Sequence, residues 1–143
     1  MKKIIVLTAI LLLPVLLFTG CTASFDWDKS IKKLEESGFI VSHNATTTDE
    51  LQEITDAVTF AVTSGGGDFT VEVKKYTVLT KDSDLSHSCQ FFEFASEEQA
   101  QNYYDIYIDK RSKDSDDKVA IKGKIIIQTN LEEAQQALNL DFQ

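Results

Sequence analysis

His43, His87 and Cys89 are soft or borderline metal ligands, the first two being the only histidines of the chain. His87 and Cys89 stand two apart in a β-rich run, and residues i and i+2 of a strand share a face. A neighbouring antiparallel strand ending at His43 would bring a third ligand to them, a set that zinc or copper accepts. No ligand-spacing motif frames the three, so a polar strand end beside a packed cysteine is the competing expectation. A free cysteine is among the most buried residue types, which favours an inert Cys89.

A second group is acidic. The tetrapeptide Lys-Asp-Ser-Asp occurs twice, at 81–84 and 113–116, and with Asp117 it supplies five carboxylates: Asp82, Asp84, Asp114, Asp116 and Asp117. Calcium requires six to eight oxygen ligands. Neither loop has the alternating acids, central glycine and closing glutamate of an EF-hand, so solvated turns are the alternative. Nucleophilic chemistry has less support, because there is no Gly-x-Ser-x-Gly elbow and no family signature surrounds Cys89. Gly65-Gly66-Gly67 follows a helical pattern and precedes a strand, the reverse of a phosphate-binding loop. Asn44-Ala45-Thr46 has the form of a glycosylation triplet. The expectation is a protein that is not an enzyme and needs no cofactor.

The elements that must position these residues are readable from periodicity. From Asp26, Trp27, Ile31 and Leu34 recur at helical spacing, and Gly38 ends the helix. Phe39-Ile40-Val41 reads as a short strand. Thr47-Thr48-Asp49-Glu50 is a capping box for a helix with Leu51, Ile54, Val58 and Val62 on one face. Residues 69–80 and 86–94 read as a hairpin of two strands, and Ser96-Glu97-Glu98-Gln99 as a second capping box. Tyr103, Tyr104 and Tyr107 belong to that helix. Val119 to Gln128 reads as one strand, and Asn130 as the cap of a last helix. The order βαββαβ, with extra N- and C-terminal helices, resembles a ferredoxin-like α/β plait within the α+β class. Such a plait has sheet order 4-1-3-2 and would gather His43 to Asp49, the hairpin turn and residues 113–118 at one end. A cystatin-like helix-on-sheet arrangement is the alternative. Phe91 and Ile126 are expected on the sheet face opposite Phe92 and Phe94, as an exposed interaction patch or beneath the first helix.

The N-terminus supplies an address. Lys2 and Lys3 precede an apolar run from Ile4 to Phe18, broken by Thr8 and Pro14. About 20 apolar residues are needed to span a bilayer core, so this run is short for a permanent anchor and reads as a signal peptide. Leu17-Phe18-Thr19-Gly20-Cys21 resembles the lipobox of bacterial lipoproteins. That resemblance implies removal of residues 1–20, diacylglycerol on the Cys21 thiol, and attachment to the extracytoplasmic face of the cell membrane. Residues 21–25 form a short tether, and 26–143 one domain.

Cleavage after residue 20 leaves 123 of 143 residues, enough for one core. All 23 acidic residues lie in that part, whereas two of the 14 basic ones precede it, so its side chains carry a charge of −11. Nucleic-acid binders show a basic face, and this balance excludes them. The expected function is a lipid-anchored, non-enzymatic module that binds another envelope protein. The alternative is a small-ligand or metal-binding accessory using His43, His87, Cys89 and the aspartates.

Overall fold

The computed structural model describes residues 24–82 and 84–143; Cys21 and the segment before it lie outside the described residues. The element order is α1 (Trp27–Glu36), β1 (Ile40–Ala45), α2 (Thr48–Ser64), β2 (Val73–Lys81), β3 (Asp84–Phe94), α3 (Glu97–Lys110), β4 (Lys118–Lys122), β5 (Ile125–Thr129) and α4 (Glu132–Leu138). The chain is α+β. Its five strands form one sheet in the order β1-β2-β3-β5-β4, and every neighbouring pair is antiparallel.

That order departs from the 4-1-3-2 of a plait at two places, each with a local cause. The run expected as one strand, 119–128, folds back at Gly123-Lys124, so that Lys122 pairs with Ile125. Gly123 has φ +58, and a glycine with positive φ at the first of two loop positions is the mark of a II′ hairpin. At the other place, α2 does not carry the chain over to a strand that runs parallel to β1 with one strand between them. The Gly65-Gly66-Gly67 turn reverses it, with Gly66 at φ +89 and the Gly67 N–H donating to Val62 O at 2.9 Å. Residues 67–72 then return along the helix, and β2 pairs directly with β1, Ile40 opposite Thr80 and Ala45 opposite Tyr76.

Helices cover both faces of the sheet, which also separates the structure from a single helix laid on a sheet. Alternation along the strands divides the apolar residues between two cores. Phe92, Phe94 and Ile126 pack with Val58, Val62 and Tyr103 of α2 and α3. Cys89, Phe91 and Ile127 pack with Trp27 and Leu34 of α1 and Ala134 and Leu138 of α4.

The helices begin where their caps dictate. Asp26 accepts from the Lys29 N–H at 3.0 Å and starts α1. Thr47 Oγ1 accepts from the Glu50 N–H, while Glu50 Oε2 takes the N–H groups of Thr46 and Thr47 at 3.0 Å. These bonds to its charged form hold the Glu50 carboxyl below the usual range. Ser96 caps α3, but Gln99 turns away from its own helix and accepts the Glu72 N–H at 2.9 Å. Asn130 is not the cap of α4. Leu131 stands there without a side-chain bond, and Asn130 Nδ2 donates to Ser86 O.

One buried bond ties the returning segment to the helix it follows: the Val73 N–H donates to Thr55 Oγ1 at 2.9 Å. Thr55→Val keeps the shape and leaves that N–H without an acceptor, a loss of about 1–3 kcal/mol. The expected result is a lower urea midpoint with an unchanged slope.

Candidate functional site

The sheet order disperses the soft ligands. β2 lies between β1 and β3, so His43, opposite Val78, is two strands from Cys89, which is opposite Leu79. The His43 ring lies 6.0 Å from that of Tyr76, on the α2/α3 side, whereas Cys89 belongs to the core beneath α1 and α4. His87 is exposed, with Nδ1 3.6 Å from Asp84 Oδ2. No cluster of three metal-ligating side chains occurs among the described residues. Cys89 is fully buried, and that desolvation pushes its thiol up to about 12, against a small lowering by Thr129.

The ends of the sheet are also rearranged. β1 runs antiparallel to β2, which puts residues 43–49 at the end opposite the β2–β3 turn. The turn and the segment before β4 still share one end, so the two aspartate loops lie on the same side of the molecule. Their geometry is that of turns. Asp82 has φ +58; Asp84 Oδ1 accepts from the N–H and hydroxyl of Ser86, and these bonds hold its carboxyl below the usual range. The Asp114 and Asp117 N–H groups donate to the hydroxyls of Ser112 and Ser115. Asp116 is exposed beside them.

Phe91 and Ile126 do not form a patch. Both are completely buried, and on opposite faces, because it is Ile127 that pairs with Phe91 and Ile126 with Phe92. α1 closes over Phe91, with the Trp27 ring 5.4 Å and the Phe25 ring 6.0 Å from it. Among the described residues, the large apolar side chains that are exposed are Ile40, Val41, Phe60 and Leu85.

Two features take the place of the expected sites. The first is an edge. The outer side of β4 is closed by Gln143, whose N–H donates to Val119 O at 2.9 Å and whose carbonyl accepts the Val119 N–H at 3.3 Å. The outer side of β1 has no such partner among the described residues, and Ile40 and Val41 on it are 56% and 37% exposed. A sequence signal existed, since Ile40-Val41-Ser42-His43-Asn44-Ala45 contains none of the lysines or prolines that blunt edge strands.

The second is a cleft of about 310 Å³ between the C-terminal parts of α2 and α3 and the loop after α3. Ala61, Val62, Ile106, Tyr103 and Tyr107 line it, and Lys110, Arg111 and Asp117 are the charged side chains of the lining. Arg111 Nη1 donates to the backbone oxygens of Asp117 and Gln143, which fixes the guanidinium there. Tyr103 OH accepts from Gln128 Nε2 at 2.9 Å, an arrangement that joins the cleft to the polar sheet floor. Burial is the main cause that raises the Tyr107 phenol to about 12, with the Asp117 carboxylate adding to it and Arg111 opposing. Tyr107 is therefore a protonated donor at any physiological pH.

No protein-family model matches this sequence, and no curated protein or solved structure matches it. The class is defined by the fold alone: among the described residues, two pairs of helices lie on the two faces of a five-stranded antiparallel sheet, with one sheet edge closed and the other open.

Proposed function

We propose that the protein is a lipid-anchored envelope lipoprotein that acts without catalysis, by accepting an extended segment of another envelope protein along β1. The observation that carries this reading is the contrast between the two edges: β4 is capped by Gln143, while β1 has no outer partner among the described residues and presents two exposed apolar side chains. Strand addition to such an edge derives affinity from main-chain hydrogen bonds and selectivity from alternate side chains.

The tether suits this role. Phe25 packs on Phe91, and residues 22–25 span at most about 14 Å when extended, so lipid on Cys21 would hold the domain against the outer leaflet. Two acyl chains bind a membrane far more firmly than one, each buried methylene adding about 0.8 kcal/mol. Trp27, under Lys75 Nζ at 4.5 Å, lies toward the sheet end opposite the aspartate loops. The acidic end would therefore face away from anionic lipid.

The test is a cross-linked pull-down of the full chain from its own membranes. A single stoichiometric envelope protein is expected, lost in Ile40→Lys/Val41→Lys with the thermal midpoint retained, and lost in Cys21→Ala with the protein released from the membrane. Retention of the partner by the double lysine variant, or a β1-to-β1 dimer in place of a partner, overturns the edge. Normal maturation and unchanged membrane retention of Cys21→Ala overturn the anchor.

A further inference from the structure

The cleft between α2 and α3 has the features of a small-molecule site on a face distinct from the β1 edge. Its volume of about 310 Å³ is at the low end of the range for ligand pockets, roughly 300–1,000 Å³, so its occupant is a single compact molecule. The wall is tight because backbone forms part of it: a Cβ on Gly65 would lie 2.8 Å from Ile106 Cγ2. Aliphatic groups of Ala61, Val62 and Ile106, with the two tyrosine rings, provide an apolar interior for an alkyl or aryl group.

The lining carries three charged side chains, Lys110, Arg111 and Asp117, and Lys110 is paired with Asp109 at 3.0 Å, which leaves Arg111 and Asp117 for a ligand. Arg111 uses Nη1 for its two main-chain acceptors, Asp117 O and an oxygen of Gln143, and among the described residues no aspartate or glutamate carboxylate comes within 4.0 Å of it. Its Nε and Nη2 donors remain for a planar, bidentate acceptor, the geometry a carboxylate supplies. Asp117 likewise has no ion-pair partner among the described residues, although its carboxylate is close enough to Tyr107 to act on the phenol. An anion alone would satisfy the arginine and be repelled by the aspartate. A cation alone would meet the reverse. We propose that this cleft binds a small apolar zwitterion of the α-amino acid class, its carboxylate on Arg111, its ammonium on Asp117 and its side chain among Ala61, Ile106 and Tyr103.

The experiment is calorimetric titration of the full-length protein in lipid nanodiscs with phenylalanine, with 3-phenylpropionate, which lacks the ammonium, and with 2-phenylethylamine, which lacks the carboxylate. Phenylalanine is expected to bind with Kd below about 1 mM. Each analogue is expected to bind at least about tenfold more weakly, the loss of one charge-assisted contact. Arg111→Gln should remove the preference for phenylalanine over the amine. Because Arg111 also holds backbone, Ala61→Trp, at an exposed position, is the second variant: it fills the cleft and should abolish binding with the thermal midpoint unchanged. Absence of saturable heat with phenylalanine, leucine and tryptophan, an analogue as tight as the zwitterion, or undiminished binding to Ala61→Trp overturns the proposal.

Discussion

Phe91→Ala is expected to destabilise the domain by about 3–5 kcal/mol, the range for deleting a fully buried phenylalanine. Phe91 is, with Phe94, the largest side chain without solvent exposure among the described residues, and it stands in β3 opposite Thr77 on one side and Ile127 on the other. The rings of Trp27 and Phe25 close over it, so the cavity left by truncation lies at the junction of α1 with the sheet. α1 is a ten-residue helix, too short to be stable on its own, and its packing depends on this contact. A loss of this size is a large part of the 5–15 kcal/mol that holds a typical domain together. The measurement is the urea midpoint, with Phe60→Ala as control: Phe60 is 74% exposed, and its removal should change stability by less than about 0.5 kcal/mol. A Phe91→Ala shift no larger than that of the control would mean that α1 does not cover this face in solution.

The same residue shows what could be read in advance. Parity placed Phe91 with Cys89, and Phe92 with Phe94, on opposite faces, and both pairs fall so. For Ile126 parity failed, because Ile125-Ile126-Ile127 has no polar residue to mark the phase, and a slip of one residue exchanges the faces. Local signals held where a single turn decides: Thr47 with Glu50, and Ser96, cap their helices. Gln99 and Asn130 escaped because their partners, Glu72 and Ser86, are distant in sequence and only the fold brings them near. Strand order was the least legible feature. It turned on two small backbone events, the reversal at Gly65-Gly66-Gly67, which puts β2 between His43 and Cys89, and the fold-back at Gly123, which makes a fifth strand. The cleft was not legible either, since Ala61, Tyr107 and Arg111 carry no spacing that marks a site until α2 and α3 are packed together.

The burial of Cys89 gives the protein an alkaline limit. With the native thiol raised to about 12 from the 9.0 of an unburied cysteine, the folded state keeps a proton that the unfolded chain loses between those values. Stability therefore falls as pH rises through that window, because the unfolded state binds fewer protons there; below pH 9 this contribution is flat and fully present. Each pH unit is worth about 1.4 kcal/mol for one group, so crossing the whole window costs about 4 kcal/mol. Burial raises Tyr103 and Tyr107 as well, and they steepen the fall in the same direction. Cys89→Ala separates the thiol from the tyrosines. At pH 7 it should be less stable than the parent by about 1 kcal/mol for the lost apolar contact. From pH 9 upward its stability should decline less steeply, and before pH 12 the two curves should cross, the variant becoming the more stable protein. Urea unfolding at half-unit steps from pH 7 to 12 reads both slopes. Parallel curves throughout would show that the Cys89 thiol ionises in the native protein as readily as in the unfolded chain, which a side chain sealed between β3 and the α1/α4 layer cannot do.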